Sequence, residues 1–405
     1  MQSPVPKQEP DKPGVSMKHS WIDSWHVSPS LNKDYDVIDG LRGISILLVV
    51  ACHVLYHNPA SSDVVRIVGG MISAGAYGVT VFFALSGFLI SLPFWKRKSQ
   101  GVAQLVPPGY VRRRFWKIYP PLGLSLLLLT PIYFIKTGDS AYFPLALQWL
   151  TGFPLIGSVS GELNPVMWSL IVEVHFYATL PLLFLLSRKL DYKTTLALLF
   201  AVLLIIPFVI REWNLSHGIL NTLHPLIQTH YPSNLDAFAC GVLIGGLETI
   251  RAIRKSWVRC GDLGLLLLGF GLLSASLVEY FGVADSAIYR ECIDALFKLA
   301  AGLLILYIAD TGFSRTRAFS VTWLRWLGLV SYEWYLFHQP IFRWTRQLFG
   351  GASGGSLSKY LLIVGVSIIA SLAIAAITYR FFSLPILRWG RNRARTSQVA
   401  SESSV

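Results

Sequence analysis

One arginine and two histidines interrupt an otherwise apolar stretch near the start of the chain, DGLRGISILLVVACHVLYH from Asp39 to His57. Arg42 and His53 are eleven residues apart, which on an α-helix is about 20° around the axis and about 16 Å along it. A stripe with a guanidinium at one end and an imidazole at the other can hold an anionic or polarised group and move a proton. A lone histidine on an apolar helix is usually a satisfied core residue. An arginine on the same stripe points instead to a lined cavity.

Three further segments carry the same kind of chemistry. In SYEWYLFHQP, Ser331, Tyr335 and His338 stand at offsets of four and seven, so all three share one helical face; Pro340 follows and is expected to bend the helix. In WSLIVEVHFY, Trp168, Ser169, Glu173 and His175 interrupt an apolar run. Ser169 and Glu173 share a face, and a carboxylate facing lipid is costly, so Glu173 is expected to face the protein interior or a cation. In YVRRRFWKIYPP, residues 110–121, Arg113 or Arg114 lies on one face with Lys117, a pairing suited to phosphate oxygens. Such cations are also what a cytoplasmic loop ordinarily carries.

The elements that must position these residues are membrane spans. Of 405 residues, 53% are apolar and 14% charged, with a mean hydropathy of +0.52; a soluble chain carries about a quarter charged residues. Uncharged stretches such as 71–94 and 360–379 are long enough to cross a hydrocarbon layer about 30 Å thick as helices, the form in which backbone groups are satisfied within one segment. The reading is an all-α polytopic bundle of about ten spans, near 37–57, 71–94, 118–136, 165–187, 194–210, 234–250, 262–281, 292–310, 326–349 and 358–380. Residues 140–157, broken by Pro144 and Pro154, read as re-entrant or interfacial.

Charge supports this division. Basic clusters at 96–98, 112–117, 188–193, 251–259, 315–325 and 388–395 alternate with loops that carry about one basic residue each: Arg66, Lys136, Arg211, Arg290 and Lys359. The positive-inside rule makes the rich side cytoplasmic, with both termini there. Residues 1–36 and 387–405 read as disordered cytoplasmic tails around one membrane domain at 37–386. The formal charge of +13 is then a matter of topology, and nucleic acid is not an expected partner. Cys52, Cys240, Cys260 and Cys292 have no metal-ligand spacing, and no metal is expected.

These residues also carry a family pattern. DGLRGISILLVVACH (39–53), GVTVFFALSGFLI (78–90), VRRRFWKIYP (111–120), WSLIVEVHFY (168–177), DAFACG (236–241) and SYEWYLFHQP (331–340) resemble, in order, six elements of the acyltransferase 3 family of multi-pass membrane O-acetyltransferases. The second cation of the third element is Lys117, where the family usually has arginine; lysine keeps the charge and loses the bidentate fork. The resemblance implies transfer of an acyl group, usually acetyl from acetyl-CoA, to a hydroxyl of a polysaccharide or glycoconjugate at the cell membrane. It assigns His53 as general base, Arg42 as donor anchor or charge stabiliser, and Glu173 as an orienting group. Arg113, Arg114 and Lys117 become the expected CoA-phosphate site, and Trp168, Ser331, Tyr335 and His338 the substrate-binding set. The rival reading of the same intramembrane residues is a proton relay in a transporter or flippase.

Overall fold

The computed structural model describes residues 21–26, 34–55, 72–151, 163–216, 234–250, 263–264, 266–271, 273–274, 287–310, 320–350 and 357–392. Among them there are helices and no strands. The helices are α1 (Asp34–Leu55), α2 (Gly78–Ser99), α3 (Tyr110–Thr137), α4 (Tyr142–Thr151), α5 (Trp168–Leu186), α6 (Tyr192–Ser216), α7 (Asp236–Thr249), α8 (Ala287–Asp310), α9 (Thr322–Leu348) and α10 (Leu357–Thr378). A π-helical turn at Tyr379–Ser383 continues α10. Among the described residues, seven helical segments are long and apolar enough to cross a membrane: Asp36–Leu55, Ala74–Ser99, Tyr110–Thr137, Pro165–Leu186, Tyr192–Trp213, Cys292–Ala309 and Ser358–Asn392. The chain is therefore a multi-pass membrane protein.

Two expected spans fall short of that measure for different reasons. α7 has 14 residues, about 21 Å of helix, and is largely buried, so its surroundings are protein as much as lipid. α9 is 27 residues long with 15 of them buried; it runs through the middle of the bundle, where a helix can be polar on the faces its neighbours cover. The expected span at 262–281 lies partly outside the described residues, and those described within it are helical. α4 is ten residues long, about 15 Å. It is too short to cross, and Leu145 and Trp149 bury one face against Leu122, Leu126 and Leu129 of α3. α3 itself starts eight residues before the expected boundary at 118, so the basic cluster Arg112–Lys117 is helical.

Close backbone approach, not bulky interdigitation, sets the central pair. A Cβ placed on Gly328 of α9 would lie 1.8 Å from the Asp39 carbonyl oxygen of α1, and one on Gly43 would lie 2.1 Å from the Leu324 oxygen. Membrane helices gain contact in this way through small residues, because apolar burial alone does not distinguish protein from lipid. The pairs Asp36–Arg325, Arg42–Ser331 and His53–His338 rise together along both chains, so α1 and α9 run in the same direction and bring their polar stripes face to face.

Two helix-interior prolines also shape the site. Pro340 cannot donate to the carbonyl four residues back, Leu336; the buried Asn164 amide donates to that oxygen instead at 2.8 Å. Pro181 leaves the Tyr177 carbonyl without its helical donor, and the Tyr110 hydroxyl fills the place at 3.0 Å. A backbone carbonyl freed in lipid must find such a partner. Here the partners come from the entry to α5 and from the first turn of α3, and they lock both onto the polar centre.

Candidate active site

A cavity with about 710 Å³ of empty space lies among α1, α2, α3, α5 and α9. Arg42, Lys117 and Glu173 bring charge to its wall, and Ser86, Ser169, Ser331, Tyr177, Tyr332 and Tyr335 bring hydroxyls. The remainder is apolar, mainly Val79, Phe82, Phe83, Leu85, Leu89, Ile118 and Leu170. Four of the sequence-predicted segments thus meet at one place.

The polar groups are held by local pairing. The Arg42 guanidinium reaches the Ser331 hydroxyl at 3.4 Å. Across one helical face, Arg42 to His53 is about 16 Å and Ser331 to His338 about 10 Å; the length of the arginine side chain absorbs the difference. Glu173 accepts hydrogen bonds from the Ser86 hydroxyl at 2.9 Å and from Tyr177, one turn along its own helix. The Tyr335 hydroxyl donates to the Val166 carbonyl at 2.7 Å and meets the Ser169 hydroxyl at 2.7 Å. The Tyr332 hydroxyl donates to the Ile118 carbonyl at 3.0 Å, tying α9 to α3 beside Lys117.

The two histidines form a pair. His338, fully buried, lies with Nδ1 2.9 Å from the Tyr335 carbonyl oxygen and 3.1 Å from that of Trp334. A carbonyl accepts only, so Nδ1 carries the proton and Nε2 the lone pair. His338 Nε2 stands 3.3 Å from His53 Nδ1, which is also 2.8 Å from the Val49 carbonyl oxygen. The same logic protonates His53 at Nδ1 and puts its lone pair on Nε2. The His53 ring is thereby held in orientation and tautomer by a backbone carbonyl and a second imidazole. The pair is not part of the cavity wall. It adjoins the end marked by Tyr335, whose ring centroid is 5.8 Å from that of His338.

The other predicted site residues divide. Lys117 lines the cavity. The Arg114 guanidinium lies over the rings of Tyr177 and Tyr110, at 5.3 and 5.8 Å, and its buried Nε has no hydrogen-bond partner. Arg113 turns back to the Pro108 carbonyl at 2.6 Å and is exposed, away from the cavity. Trp168 packs edge-on against Phe83 at 6.2 Å and is outside the wall. Ser86, Tyr177 and Tyr332 were not singled out by sequence reasoning. Tyr177 was within reach, since it extends the Ser169–Glu173 face by one further step of four; Ser86 is a small polar residue in an apolar run and carries no such signal. Among the described residues, no three His, Cys, Asp or Glu side chains are grouped to hold a metal ion.

A multi-pass helical bundle with a buried, cation-rich cavity beside a histidine pair defines the class of protein. Comparison with known proteins then places the chain: residues 35–380 match the family described as an acyltransferase domain. The chain belongs to that family, acyltransferase 3, and is an acyltransferase. It is 27% identical to acyltransferase MdmB of Streptomyces mycarofaciens, over 84% of this chain and 87% of the relative. It is 24% identical to peptidoglycan O-acetyltransferase OatA of Listeria monocytogenes, over 87% of this chain and 56% of that protein. O-acetyltransferase OatA of Staphylococcus aureus is also 24% identical, over 87% and 57%. The chain thus spans a little over half the length of the OatA relatives. No solved structure matches it.

Proposed function

We propose that the protein transfers an acetyl group from acetyl-CoA to a hydroxyl of a carbohydrate-type acceptor at the cell membrane, with His53 as general base. The observation that carries this reading is the cavity whose wall holds Arg42, Lys117 and Glu173 and whose far end adjoins the His53–His338 pair. Lys117 and the neighbouring Arg114 attract the CoA phosphates at the α3 end, and the acyl-bearing arm enters between α2, α5 and α9. The acceptor oxygen attacks the thioester carbonyl; its proton passes to His53 Nε2, the new C–O bond forms, the C–S bond breaks, and the proton returns to the CoA thiolate. Arg42 faces the developing oxyanion. Glu173, bonded to Ser86 and Tyr177, balances part of the cationic charge.

The helix directions support ten spans. α2 and α7 run parallel, because Gly87 meets Phe238 while Gly245 meets Ser91. α7 and α8 also run parallel, since Lys298 pairs with Asp236 and Gly302 approaches Cys240. Two parallel helices that follow one another in sequence favour a crossing between them, the part that the expected span at 262–281 would play. With all ten counted, both termini lie on the side of the Arg112–Lys117 cluster, and the positive-inside rule makes that side cytoplasmic.

Purified wild type given radiolabelled acetyl-CoA is expected to consume it, while His53→Ala, folded and monodisperse, loses about 10²–10⁴ in rate. Near-normal turnover by His53→Ala ends the assignment.

A further inference from the structure

At the end of α3 opposite the Arg112–Lys117 cluster, a second hollow of about 820 Å³ opens between α3, α4 and α9. Tyr133, Lys136, Tyr142, Arg343, Trp344 and Gln347 line it, and an adjoining hollow adds Arg346. By axial rise, Trp344 is about 9 Å beyond His338 on α9, and turned about 120° away from it. Among the described residues, no acid lines either hollow. The nearest in sequence, Asp139, accepts the Ala141 N–H at 2.8 Å.

The wall donates far more than it accepts. Lys136, Arg343 and Arg346 make no salt bridge among the described residues. The Lys136 ammonium instead bonds the Gln347 side-chain oxygen at 3.1 Å and sits 5.4 Å from the centre of the Trp344 ring. Among the described residues, Trp344 Nε1 and the Tyr133 hydroxyl are buried without a hydrogen-bond partner, a cost that a native structure normally avoids. Tyr133 and Tyr142 stack at 5.4 Å. Three cations on one small surface repel one another unless an anion joins them, and aromatic faces suit the C–H faces of a sugar.

We propose that this hollow is a subsite for an anionic carbohydrate, a sugar bearing a carboxylate or phosphate, which it holds while an acceptor chain reaches the histidine pair. This rests on the acetyl-transfer reading above and deepens it by naming the charge class of the acceptor. A lipid headgroup presents similar oxyanions, but it needs no cupped aromatic wall.

The probes are a hyaluronate tetrasaccharide, which carries carboxylates, and the neutral chitotetraose, each titrated onto full-length protein in phosphatidylcholine nanodiscs. Wild type is expected to bind the charged sugar at least about tenfold more tightly. That preference should fall about tenfold in R343Q/R346Q, and also in the milder single variant K136Q, which covers the case in which the double variant does not fold. Equal affinity for the two sugars, no binding of the charged one, or no effect of a folded variant overturns the proposal. So does loss of sugar binding when phosphatidylglycerol replaces phosphatidylcholine, because the lipid is then the occupant. Acetyl-CoA consumption is measured on the same wild-type sample. Its absence sinks the proposed function, whereas a hollow blind to sugar charge in a turnover-competent sample sinks this inference alone.

Discussion

Two regions bury charge, and they do so in opposite ways. Where α6, α7 and α8 meet, Asp236 bonds Arg211 at 2.9 Å and Lys298 at 2.8 Å, and Lys298 also pairs with Asp294. Two cations face two carboxylates. Around the cavity, Arg42 and Lys117 share the wall with Glu173, Arg114 is close behind, and the carboxyls of Asp39 and Glu333 lie within electrostatic reach of both cations. The charges of the first group are joined in direct ion pairs. Among the described residues, the charges of the second make no direct ion pair with one another and stand around empty space. A buried cluster whose charges are joined in ion pairs fastens helices together, whereas charges held apart around a cavity leave room for a ligand.

That contrast can be broken most directly at Asp236. Asp236→Ala leaves the Arg211 and Lys298 charges buried without their common partner, and is expected to cost about 3–5 kcal/mol. It should appear as a large fall in Tm and in the yield of monodisperse protein. A variant as stable as wild type yet inactive would put the α6–α7–α8 cluster among the working parts and erase the distinction.

A smaller loss is expected from Asn164→Ala. The Leu336 carbonyl, already freed by Pro340, then has no donor, at a cost of about 1–3 kcal/mol; thermal unfolding of the detergent-solubilised protein measures it. An unchanged Tm would mean that the bond does not hold the entry of α5 against α9.

Lys117→Gln should move activity and stability in different directions. Removing the cation beside Arg42 relieves repulsion between the two, so Tm is expected to stay level or rise. The KM for acetyl-CoA should rise about tenfold, the loss of one charge-assisted contact to phosphate, and Lys117→Arg should recover most of it. A destabilised Lys117→Gln with unchanged KM would make Lys117 a fastening like Lys298.

Much of the site was legible along single helices. The Arg42–His53 interval and the Ser331, Tyr335 and His338 offsets name a polar face, because 3.6 residues per turn turns spacing into direction. The same reasoning overvalued Arg113, which shares a face with Lys117 but belongs to the first turn of α3 and bonds back to Pro108. It also passed over Arg343 and Arg346, since the count of basic residues between spans took α9 as a span through to residue 349.

Residue order and composition alone determined that this chain builds apolar helices with polar stripes, which residues share each stripe, and which family its elements resemble. The encounters were decided only in three dimensions: His53 with His338, Glu173 with Ser86, Asn164 with the Leu336 carbonyl, Asp236 with Lys298. Helical period is a property of neighbours within about two turns. Which stripe meets which depends on where glycines such as Gly43 and Gly328 let backbones close to contact, and on how prolines leave carbonyls that another helix must satisfy.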